Sequence, residues 1–237
     1  MAITFVGGAT DSSFTSGNLV VAENGSPAEN DIMLCLCNVI ATDGVWTDPA
    51  DWTQIDQFDT TTGSSAARMY IGYKVRGADA GSGYSFGWSG TEGNAGAMMI
   101  TYRGGDTSTP FDVTYVKATH FVETSNARNT AAQPITTTTD GAMVVLMQHH
   151  SGAAIDTFGP PTNYQQRTAQ AGTSINQYSC DRLITSASTE TPGVFTHTDA
   201  VETQDPRTFT LAIRESGAGA SIGRLGGIDN RFNSFIR

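Results

Sequence analysis

The sequence predicts an all-β protein: a jelly-roll-like, two-sheet antiparallel β-sandwich with an internal structural repeat and a C-terminal arm. The first observation is the apolar run Asp31–Ile40, which has turn residues at both ends and no polar face. Such a run is typical of a strand buried on both sides. The second is a related run, Gly141–His150, about 110 residues later. The third is a composition rich in Thr, Ser and Gly with only two lysines, which favours short strands and turns over helices.

Short apolar or alternating segments follow one another between turn residues throughout the chain. In the first half the predicted strands are 3–6, 19–22, 32–40, 52–58, 67–75, 84–88 and 97–102. In the second half they are 111–116, 133–138, 142–149, 176–184, 194–197 and 209–214. With about a dozen strands at roughly 10-residue spacing, an antiparallel sandwich of the jelly-roll kind is expected.

The order of segments in the second half matches the first at a nearly constant offset. Residues 160–166, for example, correspond to 49–54, with an aromatic residue at both Trp52 and Tyr164. Five matched segments in one order indicate an internal repeat. Because each half is too thin to bury a core alone, we expect residues 1–215 to form one two-sheet sandwich with 32–40 and 142–149 as central strands.

Charge and cysteine content exclude several classes of protein. The net charge of −10 argues against binding to nucleic acid and against an anionic membrane surface. Cys35, Cys37 and Cys180 cannot all pair, and Cys35 and Cys37 share one face of a strand, so buried free thiols in a reducing cytoplasm are expected. The first residues have no signal-peptide pattern, and no apolar run approaches the ~20 residues needed to cross a bilayer.

The residues that carry enzyme or metal chemistry form no convincing set. Ser85 lies in a Gly-Tyr-Ser-Phe-Gly pattern, but no helix follows it, so a strand residue is expected instead of a hydrolase nucleophile. His149 and His150 face opposite sides of a strand, with Gln148 and His150 predicted to reach solvent and His149 to cap the core. Four aspartates, at 48, 51, 56 and 59, lack calcium-loop spacing. We expect no catalytic, cofactor-binding or metal-binding residues.

Four aromatic residues could form a sugar-stacking platform: Trp46, Trp52, Trp88 and Tyr164. The repeat instead predicts that Trp52 and Tyr164 pack at one end of the sandwich. Trp46 has no counterpart in the second half, which makes it the candidate for an exposed aromatic contact, although packing in the core or a loop is the favoured interpretation.

Residues 216–237 differ from the rest of the chain and predict a flexible C-terminal docking arm. A Gly-rich connector is followed by apolar residues at helix-compatible spacing and by the only basic stretch of this acidic chain. A tail that carries so many apolar side chains is expected to bury them against a partner. The predicted contact residues are Arg224, Leu225, Ile228, Arg231, Phe232, Phe235, Ile236 and Arg237.

The segments Asn30-Asp31-Ile-Met-Leu, Trp52-Thr-Gln-Ile, Gly72-Tyr-Lys-Val, Tyr84-Ser-Phe-Gly-Trp-Ser-Gly and 97–104 occur in an order that resembles jelly-roll virion proteins of tailed bacteriophages. Such proteins are found as capsid decoration (cement) proteins and as parts of tails and fibres. The resemblance covers residues 1–215, rests on core and turn residues, and implies a non-enzymatic role.

The resemblance and the arm together predict a phage structural protein that is made in the host bacterial cytoplasm and resides in the virion. A capsid cement or decoration protein is the leading expectation, with the major capsid protein or another virion protein as partner and further copies of itself within the particle. The alternative is a carbohydrate- or receptor-binding module of a tail or fibre, motivated by Trp46 and the loop aromatics. Neither nucleic acid nor membrane is an expected partner.

Overall fold

The computed structural model describes residues 1–12, 14–15, 17–41, 43–59, 67–78, 81, 83–91, 93–119, 131–151, 155–171, 175–199 and 206–217. Every named element within these ranges is a β-strand, and every pairing between strands is antiparallel. The predicted all-β antiparallel sandwich is therefore confirmed. The finer jelly-roll description stays a prediction.

The first half contains nine strands: β1 (Thr4–Asp11), β2 (Phe14–Thr15), β3 (Asn18–Val21), β4 (Ile32–Ile40), β5 (Trp46–Thr47), β6 (Thr53–Asp59), β7 (Ala67–Val75), β8 (Tyr84–Trp88) and β9 (Ala95–Arg103). The second half also contains nine: β10 (Val116–Thr119), β11 (Ile135–Thr136), β12 (Ala142–Ser151), β13 (Ile155–Gly159), β14 (Gln165–Ala171), β15 (Ile175–Ile184), β16 (Thr189–Glu190), β17 (Thr196–Asp199) and β18 (Arg207–Ile213).

Each half contributes one five-stranded sheet, and the two sheets have the same strand order. The first is β1-β9-β4-β7-β6 and the second is β10-β18-β12-β15-β14. The two apolar runs that the sequence marks, β4 and β12, occupy the central position of their sheets and are buried along almost their whole length. A strand with neighbours on both edges and layers on both faces needs no polar side, which is why residues 32–37 and 142–147 are continuously apolar.

The register of the two sheets shows the repeat at single-residue level. Leu34 pairs with Ile100 in the first sheet, and Val145 pairs with Leu211 in the second, each 111 residues later. Both edge strands β6 and β14 contain a bulge at the same place, after Gln54 and after Gln166. A bulge re-aims the side chain at that position, so equal placement means that both halves bend in the same way.

The turns that lead into β6 and β14 are also equivalent. Asp51 and Asn163 both adopt left-handed backbone conformations, with φ of 64° and 70°, which short polar residues tolerate best. The next residue, Trp52 or Tyr164, donates its backbone N–H to the carbonyl oxygen of Pro49 or Pro161. The correspondence predicted between residues 49–54 and 160–166 is therefore present in the backbone.

The main core lies between the two large sheets and draws on both halves of the repeat. Leu34, Leu36 and Ile100 from the first sheet belong to the same buried cluster as Val145 and Leu211 from the second. The outer face of each large sheet is also buried. The four-stranded sheet β2-β3-β8-β5 covers the first, and smaller pairs including β11-β16 cover the second. The predicted two-sheet sandwich is thus the central pair of a structure with additional outer layers.

Strand β1 is longer than the sequence predicts. The sequence predicts a strand at residues 3–6, but β1 continues through Gly7 and Gly8 to Asp11. The glycine is needed because a Cβ at Gly7 would lie 2.6 Å from the carbonyl oxygen of Asn24. Glycine in this strand therefore permits close approach of another backbone segment and does not end the strand.

Candidate functional site

The residues that follow β18 are held to the rest of the fold by polar contacts. The N-terminal amino group lies 3.2 Å from a carboxylate oxygen of Glu215, and the N–H of Ser216 donates to the carbonyl oxygen of Gly104. The predicted contact residues of the arm, which begin at Arg224, lie outside the described residues, as does the rest of the segment after Gly217. The structure fixes where this segment begins.

Trp46 is not an exposed aromatic contact, which was the less favoured of the two interpretations of this residue, and the favoured interpretation, packing in the core, is confirmed. Its side chain is 5 % exposed, and its Nε1–H donates to the carbonyl oxygen of Arg68 at 3.2 Å. The ring lies between Phe14, with centroids 6.2 Å apart, and Trp88, with centroids 5.1 Å apart. Short strand β5 carries Trp46 into the outer core of the first half, so this residue offers no sugar-stacking surface.

The equivalent aromatic residues Trp52 and Tyr164 are both 7 % exposed and belong to the outer cores of their respective halves. Trp52 packs edge-on against Phe86. The hydroxyl of Tyr164 donates to Glu190 at 3.2 Å, which satisfies its polar end while the ring is buried. Packing therefore accounts for large aromatic residues at both positions.

The Ser85 pattern lies in β8 apart from its first residue, Gly83, which precedes the strand, and Ser85 pairs with Val20 and is exposed. A strand in mid-course lacks the sharp turn into a helix that exposes a catalytic serine and supplies an oxyanion site. The arrangement around Ser85 therefore does not fit nucleophilic catalysis of that type.

The aspartates of the first half make separate contacts. Asp51 pairs with Lys74 across 3.7 Å, and Asp56 accepts hydrogen bonds from Tyr115 and Lys117. Burial, reinforced by the carboxylate of Asp48, raises the pKa of the Tyr70 hydroxyl. The side chain of residue 59 lies outside the described ones. Within the described ranges, no three His, Cys, Asp or Glu side chains are grouped closely enough to hold a metal ion.

The three cysteines are free and fully buried, as the sequence predicts. The sulfur atoms of Cys35 and Cys37 lie 3.5 Å apart on the outer face of β4. Burial and the neighbouring Cys35 raise the pKa of Cys37, and burial raises the pKa of Cys180. Both effects reduce the thiolate fraction on which reactivity depends.

We therefore expect all three thiols to react slowly with a thiol reagent in the native protein and rapidly after unfolding. Time-resolved labelling with a chromogenic disulfide in buffer and in denaturant measures this directly. The denatured sample, with three reactive thiols per chain, is the control. Rapid labelling of Cys35 and Cys37 in buffer would contradict the buried position of β4.

A buried polar network joins the two large sheets at equivalent positions of the repeat. His149 is fully buried, and one of its ring nitrogens, Nδ1, lies 2.8 Å from Nδ2 of Asn38, which stands 111 residues earlier. Oδ1 of Asn38 accepts a hydrogen bond from Nε2 of Gln177 at 2.9 Å, and the same Nε2 donates to the carbonyl oxygen of Leu36. Burial, followed by the charge of Arg207, lowers the pKa of His149 to about 3.

The prediction that Gln148 and His150 reach solvent is wrong, because both side chains are fully buried. The ring of His150 packs against Phe158 of β13 and His197 of β17, with centroids 5.5 and 4.8 Å apart. These two short strands form a separate pair that covers the end of β12. The polar end of this strand is thus interior, beneath an outer layer that the sequence did not predict.

The two large sheets meet along two seams related by the repeat, and each seam contains a groove. Phe5 of β1 pairs with Tyr102, and Phe111 forms an isolated bridge with Ile213 at the equivalent place. The Phe5 groove has a volume of about 440 Å³, and its walls include Phe5, Arg167, Asp181 and Arg182. The Phe111 groove has a volume of about 350 Å³ and is lined by Ile55, Phe111, Val113, Thr114, Tyr115 and Leu211.

The two grooves have opposite chemistry because their bulge residues differ. In the Phe5 groove the guanidinium of Arg167 stacks over the ring of Phe5 at 5.0 Å and donates to Asp181 at 2.8 Å. Asp181 also accepts a hydrogen bond from the buried hydroxyl of Tyr102. Ile55, at the equivalent bulge, gives the Phe111 groove an apolar wall. A hydrogen-bonded ionic network therefore lines the Phe5 groove, whereas the walls of the Phe111 groove are mainly apolar.

Sequence reasoning missed the Phe111 groove altogether. Ile55 was placed in an alternating strand and Phe111 at the start of another, and neither pattern indicates a recess between them. The bulge after Gln54 could have been anticipated only from the matched Gln166, once the register of both edge strands was known.

Comparison of the chain with protein-family models, with curated proteins and with solved structures found no match. Across the described ranges, there is no helix long and apolar enough to cross a membrane.

Proposed function

We propose that this chain is a non-enzymatic structural protein of a bacteriophage virion, and specifically a capsid cement or decoration protein. In this proposal the sandwich lies on the shell, and the C-terminal arm attaches it to a neighbouring subunit. The protein would be made in the host bacterial cytoplasm and then incorporated into the particle with other copies of itself.

The observation that carries the proposal is the contrast between a tightly fixed chain exit and the composition of the segment that follows it. The backbone N–H groups of Arg214 and Ser216 both donate to carbonyl oxygens of neighbouring segments, at 2.9 Å. The next 20 residues carry three arginines and one aspartate, so the remainder of the chain bears more than the whole net charge of −10. An apolar, basic segment that leaves an acidic sandwich at a fixed point is suited to attach that sandwich to a partner.

The tail or fibre alternative depended on Trp46 as a carbohydrate-stacking residue. Burial of Trp46 removes that observation, and the described residues supply no other that favours the alternative. Copy number in purified particles separates the two roles. A number comparable with that of the shell subunit supports decoration, whereas a number comparable with a tail component contradicts it.

We expect deletion of residues 218–237 to leave a folded, soluble protein with a nearly unchanged melting temperature but to reduce its incorporation into particles by more than about tenfold. Burial of Ile228, Phe232, Phe235 and Ile236 is worth on the order of 1.5–3 kcal/mol each before ordering costs, and about 1.4 kcal/mol corresponds to a tenfold change. Quantitative mass spectrometry of particles, with calorimetry of the purified protein, measures both effects.

A full-length variant with serine at those four positions is the matched control, because it keeps the length and the arginines. It should be incorporated as poorly as the truncated chain. Unfolding of the truncated chain would mean that the arm belongs to the core of its own sandwich. Normal incorporation would mean that the sandwich surface, and not the arm, makes the attachment.

A further inference from the structure

We propose that the Phe5 groove binds a singly charged carboxylate, carried either by a small free acid or by an acidic side chain of a protein partner. Arg167 and Arg182 line this groove and would hold the carboxylate through charge-assisted hydrogen bonds, for which the guanidinium group is well suited. The inference does not depend on the C-terminal arm, and it goes beyond the structural role proposed above.

Arg167 is fixed in the groove by a carboxylate and an aromatic ring. Its Nε donates to Oδ2 of Asp181 at 2.8 Å, and its guanidinium lies over the ring of Phe5 at 5.0 Å. The same oxygen of Asp181 accepts a hydrogen bond from the hydroxyl of Tyr102 at 2.9 Å. Burial, followed by the charge of Asp181, raises the pKa of Tyr102, so this hydroxyl keeps its proton and remains a donor. Because Arg167 is oriented before a ligand arrives, less entropy is lost on binding.

Arg182 is fixed by a similar set of groups that includes a residue of the outer layer. Nη1 of Arg182 donates to Oε1 of Glu190 in β16 at 2.7 Å, and the hydroxyl of Tyr164 donates to the same oxygen at 3.2 Å. Burial, followed by the charge of Glu190, raises the pKa of Tyr164 as well. Each of the two arginines that line the groove is thus positioned by a carboxylate and a tyrosine.

The charged groups that a ligand can reach in this groove are the arginines and not the carboxylates. The side chains of Asp181 and Glu190 are only 2 % and 10 % exposed, whereas those of Arg167 and Arg182 are 19 % and 38 % exposed. A guanidinium has five N–H donors, and hydrogen bonds within the described part of the chain use one donor of each arginine. The remaining donors can therefore bind an anion.

The other half of the repeat shows that the fold does not require these charges. The positions of Arg167 and Asp181 are occupied by Ile55 and Tyr73 in the first half, according to the register beside the two bulges. Tyr73 packs edge-on against Phe111, with ring centroids 4.9 Å apart. An apolar pair therefore fills this place in the fold, and a buried ion pair is often no more stabilising than apolar residues of similar volume. The ion pair of the second half thus indicates a use other than packing.

The charge and the size of the groove favour a small, singly charged carboxylate. The two arginines and their two carboxylates sum to zero, and the whole chain has a net charge of −10. A doubly charged phosphate would bring twice as much negative charge into this neutral set and would be repelled more strongly by the acidic chain. The volume of about 440 Å³ lies within the range of about 300–1,000 Å³ that is typical of ligand sites.

Titration of the isotope-labelled, full-length protein with matched acids and amides tests the proposal. The Nε–H signals of Arg167 and Arg182 report binding directly in heteronuclear NMR spectra. Propionate and propionamide represent a free acid and its neutral counterpart. The peptide acetyl-Ala-Glu-Ala-amide and its glutamine analogue represent a side chain carried by a protein. We expect each acid to bind at least about tenfold more tightly than its neutral counterpart, because only the acid forms charge-assisted hydrogen bonds.

Arg167→Lys is the diagnostic variant, because it keeps a positive charge beside Asp181 but removes the planar fork of donors. It should weaken binding of both acids at least about fivefold and leave the protein folded. Arg182→Gln should weaken binding in the same way. Lys117→Gln is the matched control, since it removes one positive charge at the edge of the Phe111 groove. It should change the affinity by less than about twofold, because that charge lies outside the site.

Equal affinity for acids and amides, or unchanged affinity in the Arg167→Lys variant, would overturn the carboxylate site. Absence of a shift in both Nε–H signals with both acids would overturn it as well. Tighter binding of inorganic phosphate than of either acid would overturn the choice of a singly charged ligand. Tighter binding of the glutamate peptide than of propionate would support the site and assign its ligand to a protein partner, whereas equal or weaker binding would support a free acid. Deletion of the arm tests the proposed function separately, since these titrations do not involve it.

Discussion

Truncation of Leu34 to alanine is expected to destabilise the whole protein by about 2–5 kcal/mol, as buried leucine truncations do. Leu34 is fully buried in β4, the central strand of its sheet, and belongs to the cluster that both large sheets share. Because residues of both halves pack in that cluster, the loss should weaken both halves together. We expect a single unfolding transition, shifted to lower denaturant concentration, in the variant as in the wild type.

Leu183→Ala is the matched control, since this leucine lies in β15 of the second sheet but is 38 % exposed. Its truncation should change the free energy of unfolding by less than about 1 kcal/mol. Urea unfolding followed by both far-UV dichroism and tryptophan fluorescence measures the two variants. The three tryptophans lie in the first half, so two separated transitions reported by the two probes would contradict one cooperative unit spanning residues 1–215.

The features that could be predicted from the sequence are those that one segment determines by itself. The run from Ile32 to Ile40 is apolar except at Asn38 because it is covered on every side, and its pattern alone predicts a central strand. The turn before Trp52 and the turn before Tyr164 each carry their own signal, a proline followed by an acidic or amide residue. Local chemistry fixes these turns, and their recurrence at a constant offset predicts the repeat.

The features that could not be predicted depend on segments far apart in the chain. Gln148 and His150 are polar and near a strand end, which normally indicates exposure. His150 is buried because Phe158 of β13 and His197 of β17, which come later in the chain, pack against its ring. Trp46 is also buried by residues that lie far from it in the chain, since Phe14 and Trp88 pack against its ring. The local sequence around a residue does not indicate that short strands from distant parts of the chain cover it.

The Phe111 groove shows a further limit. Its wall is apolar because equivalent bulge positions hold Ile55 in one half and Arg167 in the other, so the repeat is symmetric in backbone and asymmetric in chemistry. The sequence match indicated the symmetry. The effect of having isoleucine in one half and arginine in the other depends on the aromatic residue beside each bulge, Phe111 or Phe5, and this proximity is visible only in the structure.

His149 should make the stability of the protein depend strongly on pH. Its pKa is lowered by burial to about 3 in the folded protein, against about 6.5 in an unfolded chain. Between these two values the unfolded state binds a proton that the folded state does not. The free energy of unfolding therefore falls as the pH falls from about 6.5 towards 3, by up to about 1.4 kcal/mol for each pH unit.

The geometry of the network explains why the folded protein resists this proton. Nε2 of Gln177 donates to the carbonyl oxygen of Leu36 and to Oδ1 of Asn38, which leaves Nδ2 of Asn38 facing the imidazole. The ring nitrogen must accept from that N–H, so it cannot itself carry a proton. Protonation would replace a hydrogen bond with two opposed N–H groups in a buried site beside the guanidinium of Arg207.

Replacement of His149 by glutamine removes the titrating group and keeps an oxygen that can accept from Asn38. At pH 7 the variant should be less stable than the wild type because its shape fits the site less well. As the pH falls from about 6 to 4, the wild type should lose about 1.4 kcal/mol per pH unit relative to the variant, so the difference narrows and can reverse. The carboxylates and the other histidines are common to both proteins and cancel in the difference.

Urea unfolding of both proteins at pH 7, 6, 5 and 4 gives the comparison. If the free energies of unfolding of the two proteins change with pH in parallel, His149 has the same pKa in the folded and unfolded states. The assignment of a buried, neutral imidazole between the two sheets would then be wrong.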